Sequence, residues 1–139
     1  MTYDIISTRR YRKQISIKQP NDIFNFLKKH IIKKREQFIV LTLNGSHNVI
    51  SSHIITIGLV NRTIIHPREV FQCAILDNSS SIVLVHNHPS GNIKPSEEDN
   101  EITVRMKEAG ELLGISVLDH LIISKDSYFS YRQETDILK

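Results

Sequence analysis

Four residues able to handle a metal ion or a proton stand at short, fixed intervals: His86, His88, Ser96 and Asp99. His86 and His88 close an apolar run, Ser81-Ile82-Val83-Leu84-Val85, which reads as a fully buried strand. Strand side chains two positions apart point the same way, so both imidazoles can reach one point beyond the strand end. Ser96 and Asp99 follow two prolines and a glycine, where a helix should begin. Two neutral imidazoles and a carboxylate suit zinc, which keeps a position for water when only three protein ligands are supplied. Such an ion lowers the pKa of water from 15.7 to about 7, so a carboxylate outside the ligand set can then act as general base. Each residue also has a plainer role. A histidine near a strand end is commonly structural, and Ser96 with Asp99 fits a capping box. Capping accounts for neither histidine, so the four together favour a metal site.

The pattern H-x-H, seven residues, S, two residues, D resembles the JAMM motif of the JAB/MPN metalloproteases. The words HNHPSG, KPSEED and LDHLIIS resemble the RadC branch of that superfamily, most strongly from about residue 36 to 124. The resemblance implies an α/β fold: one mixed, mostly antiparallel curved sheet flanked by helices, in a cytidine-deaminase-like three-layer arrangement. It implies Zn2+ on His86, His88 and Asp99, and a metallopeptidase-type hydrolase that cleaves a peptide or isopeptide bond, with a link to DNA repair. It also implies that Glu36, opening the strand after the first helix, is the general base, and that Ser96 hydrogen-bonds the attacking water. Without the resemblance, Glu36 in Lys33-Lys34-Arg35-Glu36-Gln37 reads as a solvated charge. Glu69 is the second candidate base, although the first turn of a helix already explains an acid there. Gly91 is expected to permit the sharp loop between the ligands. His120, after Asp119, is a candidate support for the ligands, whereas His47, His53 and His66 read as surface or structural. RadC-like proteins commonly carry a helix-hairpin-helix-like region before this domain. None is expected here, which puts in doubt the DNA-binding role that rests on it.

A chain of 139 residues with 40% hydrophobic and 24% charged content is expected to form one domain, residues 1–139, with a proper core. No 18-residue apolar run is present, and the first residues lack the pattern of a secretory signal, so the expected location is cytoplasmic without a membrane partner. Cys73 is the single cysteine, which excludes an internal disulfide and a cysteine-based zinc cluster. Its apolar neighbours suggest an inert buried thiol. The net charge of +3 hides an asymmetry, +8 over residues 1–35 and −5 over residues 36–139. The basic third is either the solvated side of a strand and a helix or a weak nucleic-acid footprint. The expected partner is a peptide or protein substrate. A nuclease is the first rival, from the string His86-Asn87-His88, but HNH nucleases spread those letters over a hairpin and helix. A zinc deaminase would need a paired cysteine motif. A non-catalytic interaction module is the remaining alternative.

Several elements must position these residues. Residues 3–17 give a weak strand signal near a sheet edge. Pro20-Asn21-Asp22 opens a helix with Ile23, Phe26, Leu27, Ile31 and His30 at or beside its apolar face. Residues 38–43 form a strand, Asn44-Gly45 signals a hairpin turn, and residues 49–57 return antiparallel. After a bend over 58–62 and the segment 63–65, His66-Pro67 starts a second helix with an apolar face of Val70, Phe71, Ala74 and Ile75. The ligand strand spans 81–87. The longest helix covers 96–113, capped by Gly114. Strands over 115–124 and 128–131 close an α/β chain.

Overall fold

The computed structural model describes residues 7–29, 35–58 and 65–138. Its elements run β1 (Ser7–Arg10), α1 (Pro20–Leu27), β2 (Gln37–Leu43), β3 (Val49–Ile57), α2 (Pro67–Leu76), β4 (Ser81–Asn87), α3 (Glu97–Leu113), β5 (Ser116–Ile123), β6 (Tyr128–Ser130) and α4 (Tyr131–Glu134). They build one open, mixed six-stranded sheet in the order β1-β3-β2-β4-β5-β6. Only β4 and β5 pair in parallel; every other neighbouring pair is antiparallel.

Alternation along the central strands sorts the core into two layers. Phe38 and Val40 of β2 and Ile82 and Leu84 of β4 face Val70, Phe71 and Ala74 of α2 and Ile102 and Met106 of α3. Ile39, Leu41, Val83 and Val85 face the other way, onto Ile23, Phe24 and Leu27 of α1. Both faces of β2 and β4 are therefore buried along their whole length, as near-continuous apolar runs require. By this parity His86 belongs to the α3 side of the sheet. Gly110 lets the chain that follows α3 pack back onto the helix, since a Cβ at that position would clash with the Ile115 carbonyl oxygen.

The expected sheet and helix boundaries are close to those observed, with several corrections. Ile75 is exposed rather than on the buried face of α2, and Cys73 is buried in its place. In α1 Phe24 is buried and Phe26 only partly covered; His30 and Ile31 lie outside the described residues, as do most of the expected bend and the segment after it. The turn between β2 and β3 is longer than Asn44-Gly45 alone, with the Asn44 side chain accepting from the Ser46 and Asn48 N–H groups and His47 at φ 60°. Of the weak strand at 3–17, the described residues form β1 and an isolated bridge at Ser16. The last predicted strand ends one residue early, because Ser130 caps α4 through the Gln133 N–H. Among the described residues no helix is long and apolar enough to cross a membrane.

Asp77 ends α2, where a carboxylate meets the negative end of the helix dipole. Two donors hold it there: the Thr42 hydroxyl at 2.7 Å and His53 Nε2 at 2.7 Å. His53 Nδ1 in turn meets the Thr8 hydroxyl at 2.9 Å, which ties β1 to the sheet edge. Burial alone would raise the Asp77 pKa; the bonds from Thr42 and His53 outweigh it and hold the carboxyl below its ordinary 3.8. A depressed carboxyl stabilises the fold fully above pH 3.8 and loses that contribution as the pH falls below it. Asp77→Asn should therefore lower the Tm at neutral pH and flatten its decline in acid. A Tm–pH curve parallel to that of the wild type would refute this linkage.

Candidate metal centre

The buried strand β4 delivers His86 at its end, and the chain then turns over Pro89-Ser90 with the Gly91 N–H bonded to the His88 carbonyl at 3.0 Å. Gly91 has φ 90°, a backbone region that favours glycine. The chain re-enters regular structure at α3. Ser96 is the N-cap, its hydroxyl accepting from the Asp99 N–H at 3.1 Å while the Asp99 carboxylate accepts from the Ser96 N–H at 2.8 Å. This reciprocal cap aims Asp99 back at the strand end.

There the three expected ligands meet. His86 Nδ1 is 2.9 Å from Asp99 Oδ1, His88 Nε2 is 3.4 Å from Asp99 Oδ2, and the two imidazole rings stand 4.8 Å apart at 86°. One ligand atom from each of the three residues lies within 4.8 Å of the others, a cluster that can hold a metal ion. Burial pushes the Asp99 pKa up, but hydrogen bonds from His86, His88 and the Ser96 N–H outweigh it and keep the carboxyl ionised far below its ordinary range. The same bond to Asp99 raises the pKa of His88 against the opposing effect of burial.

The donor set fits a divalent ion on observations of this structure. His86 Nε2 is buried with no hydrogen-bond partner, a costly state for an imidazole nitrogen that is not a ligand. His88 Nδ1 is 2.7 Å from the Asn92 carbonyl oxygen, which can only accept, so Nδ1 carries a proton and it is Nε2, facing Asp99, that would give up its proton to ligate an ion. Donors about 2.0–2.2 Å from a tetrahedral ion stand roughly 3.4 Å apart, the spacing seen between His88 and Asp99.

Behind the ligands lies a wholly buried layer. The Thr103 hydroxyl donates to the Asp99 carbonyl at 2.7 Å and sits 2.6 Å from His120 Nδ1. His120 stacks on Tyr131 at 4.9 Å, and burial pushes its pKa down to about 3, so it is neutral at physiological pH. His120 thus reaches Asp99 through the Thr103 hydroxyl. Asn87, between the two histidines, is also buried. His53 and His66 are structural, the latter as N-cap of α2, and His47 is exposed on its turn.

The two candidate carboxylates separate. Glu36 is partly exposed, and its Oε2 is 3.6 Å from His86 Nε2, within reach of the cluster. Glu69 is buried in the first turn of α2 and accepts from the His66 N–H at 3.2 Å, closing a capping box. A cavity of about 150 Å3 opens beside His88, lined also by Lys28, Asn87, Pro89, Ile123, Ser124 and Lys125. Cys73 is buried, and burial raises its thiol pKa to about 12, in keeping with the inert thiol expected.

Residues 17–136 match the family model described as a RadC-like JAB domain. A UPF0758 protein of Staphylococcus haemolyticus is 46% identical over 127 residues, 91% of this chain and 56% of that protein. A UPF0758 protein of Alkaliphilus metalliredigens is 50% identical over 120 residues, 86% and 52% of the two chains. One of Thermotoga maritima is 44% identical over 115 residues, 83% and 52%. The chain thus spans about half the length of the curated relatives it matches.

Proposed function

Since the chain belongs to the RadC-like JAB family, we propose that it is a zinc-dependent hydrolase that cleaves an amide, peptide or isopeptide, with Glu36 as general base. The observation that carries this reading is the Glu36 carboxylate 3.6 Å from a buried, unpartnered nitrogen of His86, beside His88 and Asp99. His86, His88 and Asp99 would hold the ion. When bound, zinc supplies Lewis acidity, making water nucleophilic near neutral pH.

Every other step belongs to side chains of this protein. Asp99, kept ionised, offsets part of the positive charge and, through its cap with Ser96, fixes the start of α3 against the strand end. Glu36 is open enough to meet water: it takes the proton of the attacking water and passes it to the leaving amine. Ser96 stands at the rim with its hydroxyl lone pairs available to water as well as to the Asp99 N–H. The cavity beside His88 is smaller than the roughly 300–1,000 Å3 of drug-sized pockets and suits one side chain of a peptide.

The test is cleavage of a panel of internally quenched peptides, isopeptide-linked peptides and DNA, with zinc and after chelation. Amide cleavage that is lost on chelation and restored by zinc is the expected result. Cleavage of DNA alone would replace the reading with a nuclease, and binding without cleavage would favour an interaction module.

Nucleic-acid contact, and any connection to DNA repair, is the secondary reading. Arg9, Arg10, Arg12 and Lys13 are exposed on and after the edge strand β1. Such a patch should bind DNA weakly and without sequence preference, its affinity falling steeply with salt because each phosphate contact releases counterions. Tight, salt-resistant, sequence-dependent binding in a fluorescence titration would overturn that expectation.

A further inference from the structure

We propose that Asn87 is the positioning residue that holds Glu36 against the metal centre, a role that rests on the hydrolase reading above. His86 and His88 share one side of the strand end, so Asn87 between them turns to the other. It is buried, and its amide makes two hydrogen bonds to the chain start of β2. Oδ1 accepts from the Gln37 N–H at 2.6 Å, and Nδ2 donates to the Arg35 carbonyl at 2.9 Å. Those two peptide groups flank Glu36.

The geometry is that of a strand continued by a side chain. Backbone pairing of β2 with β4 ends at Phe38 opposite His86. Beyond it the Asn87 amide, a donor and an acceptor on one planar group, substitutes for a neighbouring peptide. The Glu36 carbonyl is meanwhile held from the β3 side by the Gly58 N–H at 2.8 Å. Glu36 thus has its backbone fixed on both sides. Because the clamp and two candidate ligands lie in the tripeptide His86-Asn87-His88, the spacing between base and metal is set within one short segment. Aspartate at 87 would keep the acceptor for Gln37 and lose the donor to Arg35.

The experiment uses the full zinc-loaded chain carrying Asn87→Ala or Asn87→Asp, each alone and combined with Glu36→Gln. Residue-level amide exchange, zinc content and kcat and KM on an internally quenched peptide are read in all of them. Zinc should stay bound in both single variants. The Gln37 amide should exchange about tenfold faster or more in Asn87→Ala, while Ile39 and Val40 at the centre of β2 do not change. The kcat should fall by about 10-fold or more, and should fall no further when Asn87→Ala is added to Glu36→Gln. An equal drop in both backgrounds, or no drop in the wild-type background, overturns the proposal. Should Asn87→Ala fail to fold, Asn87→Asp decides by the same cycle. Full turnover in Glu36→Gln would instead refute Glu36 as base, and the Gln37 exchange rate then decides the clamp by itself.

Discussion

Glu36→Gln is expected to keep one zinc per chain and to lose amide hydrolysis by about 10²-fold or more, the usual scale for a positioned acid–base group. The side chain stands 3.6 Å from His86 and outside the cluster of His86, His88 and Asp99, so an isosteric amide removes the proton acceptor and leaves the ligands untouched. Glu69→Gln is the matched control. Its oxygen accepts from the His66 N–H, a bond that glutamine can keep, so only the charge at the helix start is lost, about 0.3–1 kcal/mol. Metal analysis and turnover of both variants decide the matter. If Glu69→Gln abolishes turnover and Glu36→Gln does not, the base lies on α2 and the assignment of Glu36 is wrong.

His88→Ala should abolish stoichiometric zinc without unfolding the domain. His88 lies just past the end of β4, half-buried on the turn rather than within either apolar layer of the sheet. Its removal takes away the nitrogen presented at 3.4 Å from Asp99 and leaves the core intact. The thermal signature should follow. An ion that binds only the folded chain stabilises it by about 2.7 kcal/mol at a hundredfold excess over Kd, so zinc should raise the Tm of the wild type and not that of His88→Ala. Equal zinc content in the two proteins would sink the ligand assignment.

Much of this arrangement is legible in the sequence because local rules and tertiary needs coincide there. The run Ser81–Val85 is apolar at every position because both faces of β4 are covered, and Ser96, Asp99 and Gly114 mark the ends of α3 by their own cap chemistry. Where packing alone decides, the pattern misleads. Ile75 has helical spacing with Phe71, yet among the described residues no element covers it and it stays exposed. Phe24 is buried beside the Tyr128 ring of β6, while Phe26 meets Tyr11 and stays partly covered, partners too distant in the chain for spacing to encode. The four-residue helix α4 is too short for any periodicity and depends on Ser130 and on Asp119, which accepts from the Arg132 N–H at 3.0 Å. Asn87 is hidden for a different reason. Its partners are 50 and 52 residues away, so nothing nearby in the chain signals its task; only its enforced turn away from the two histidines hints that it must find partners on the other side.

The three candidate ligands fall within fourteen consecutive residues, whereas Glu36 is brought to them from fifty residues away by the pairing of β2 with β4 and the bonds of Asn87 beyond it. On the proposed reading, metal capture and bond cleavage would therefore be inherited separately. A single codon change at position 36 would leave the sheet, the cap of α3 and the ion's cradle in place, and would turn a catalyst into a metal-stabilised scaffold in one mutational step. Duplicated copies of such a domain can drift in that direction with no loss of folding. Descendants that keep the His-x-His and Asp positions but lack the distant glutamate should be looked for among binding proteins rather than among enzymes.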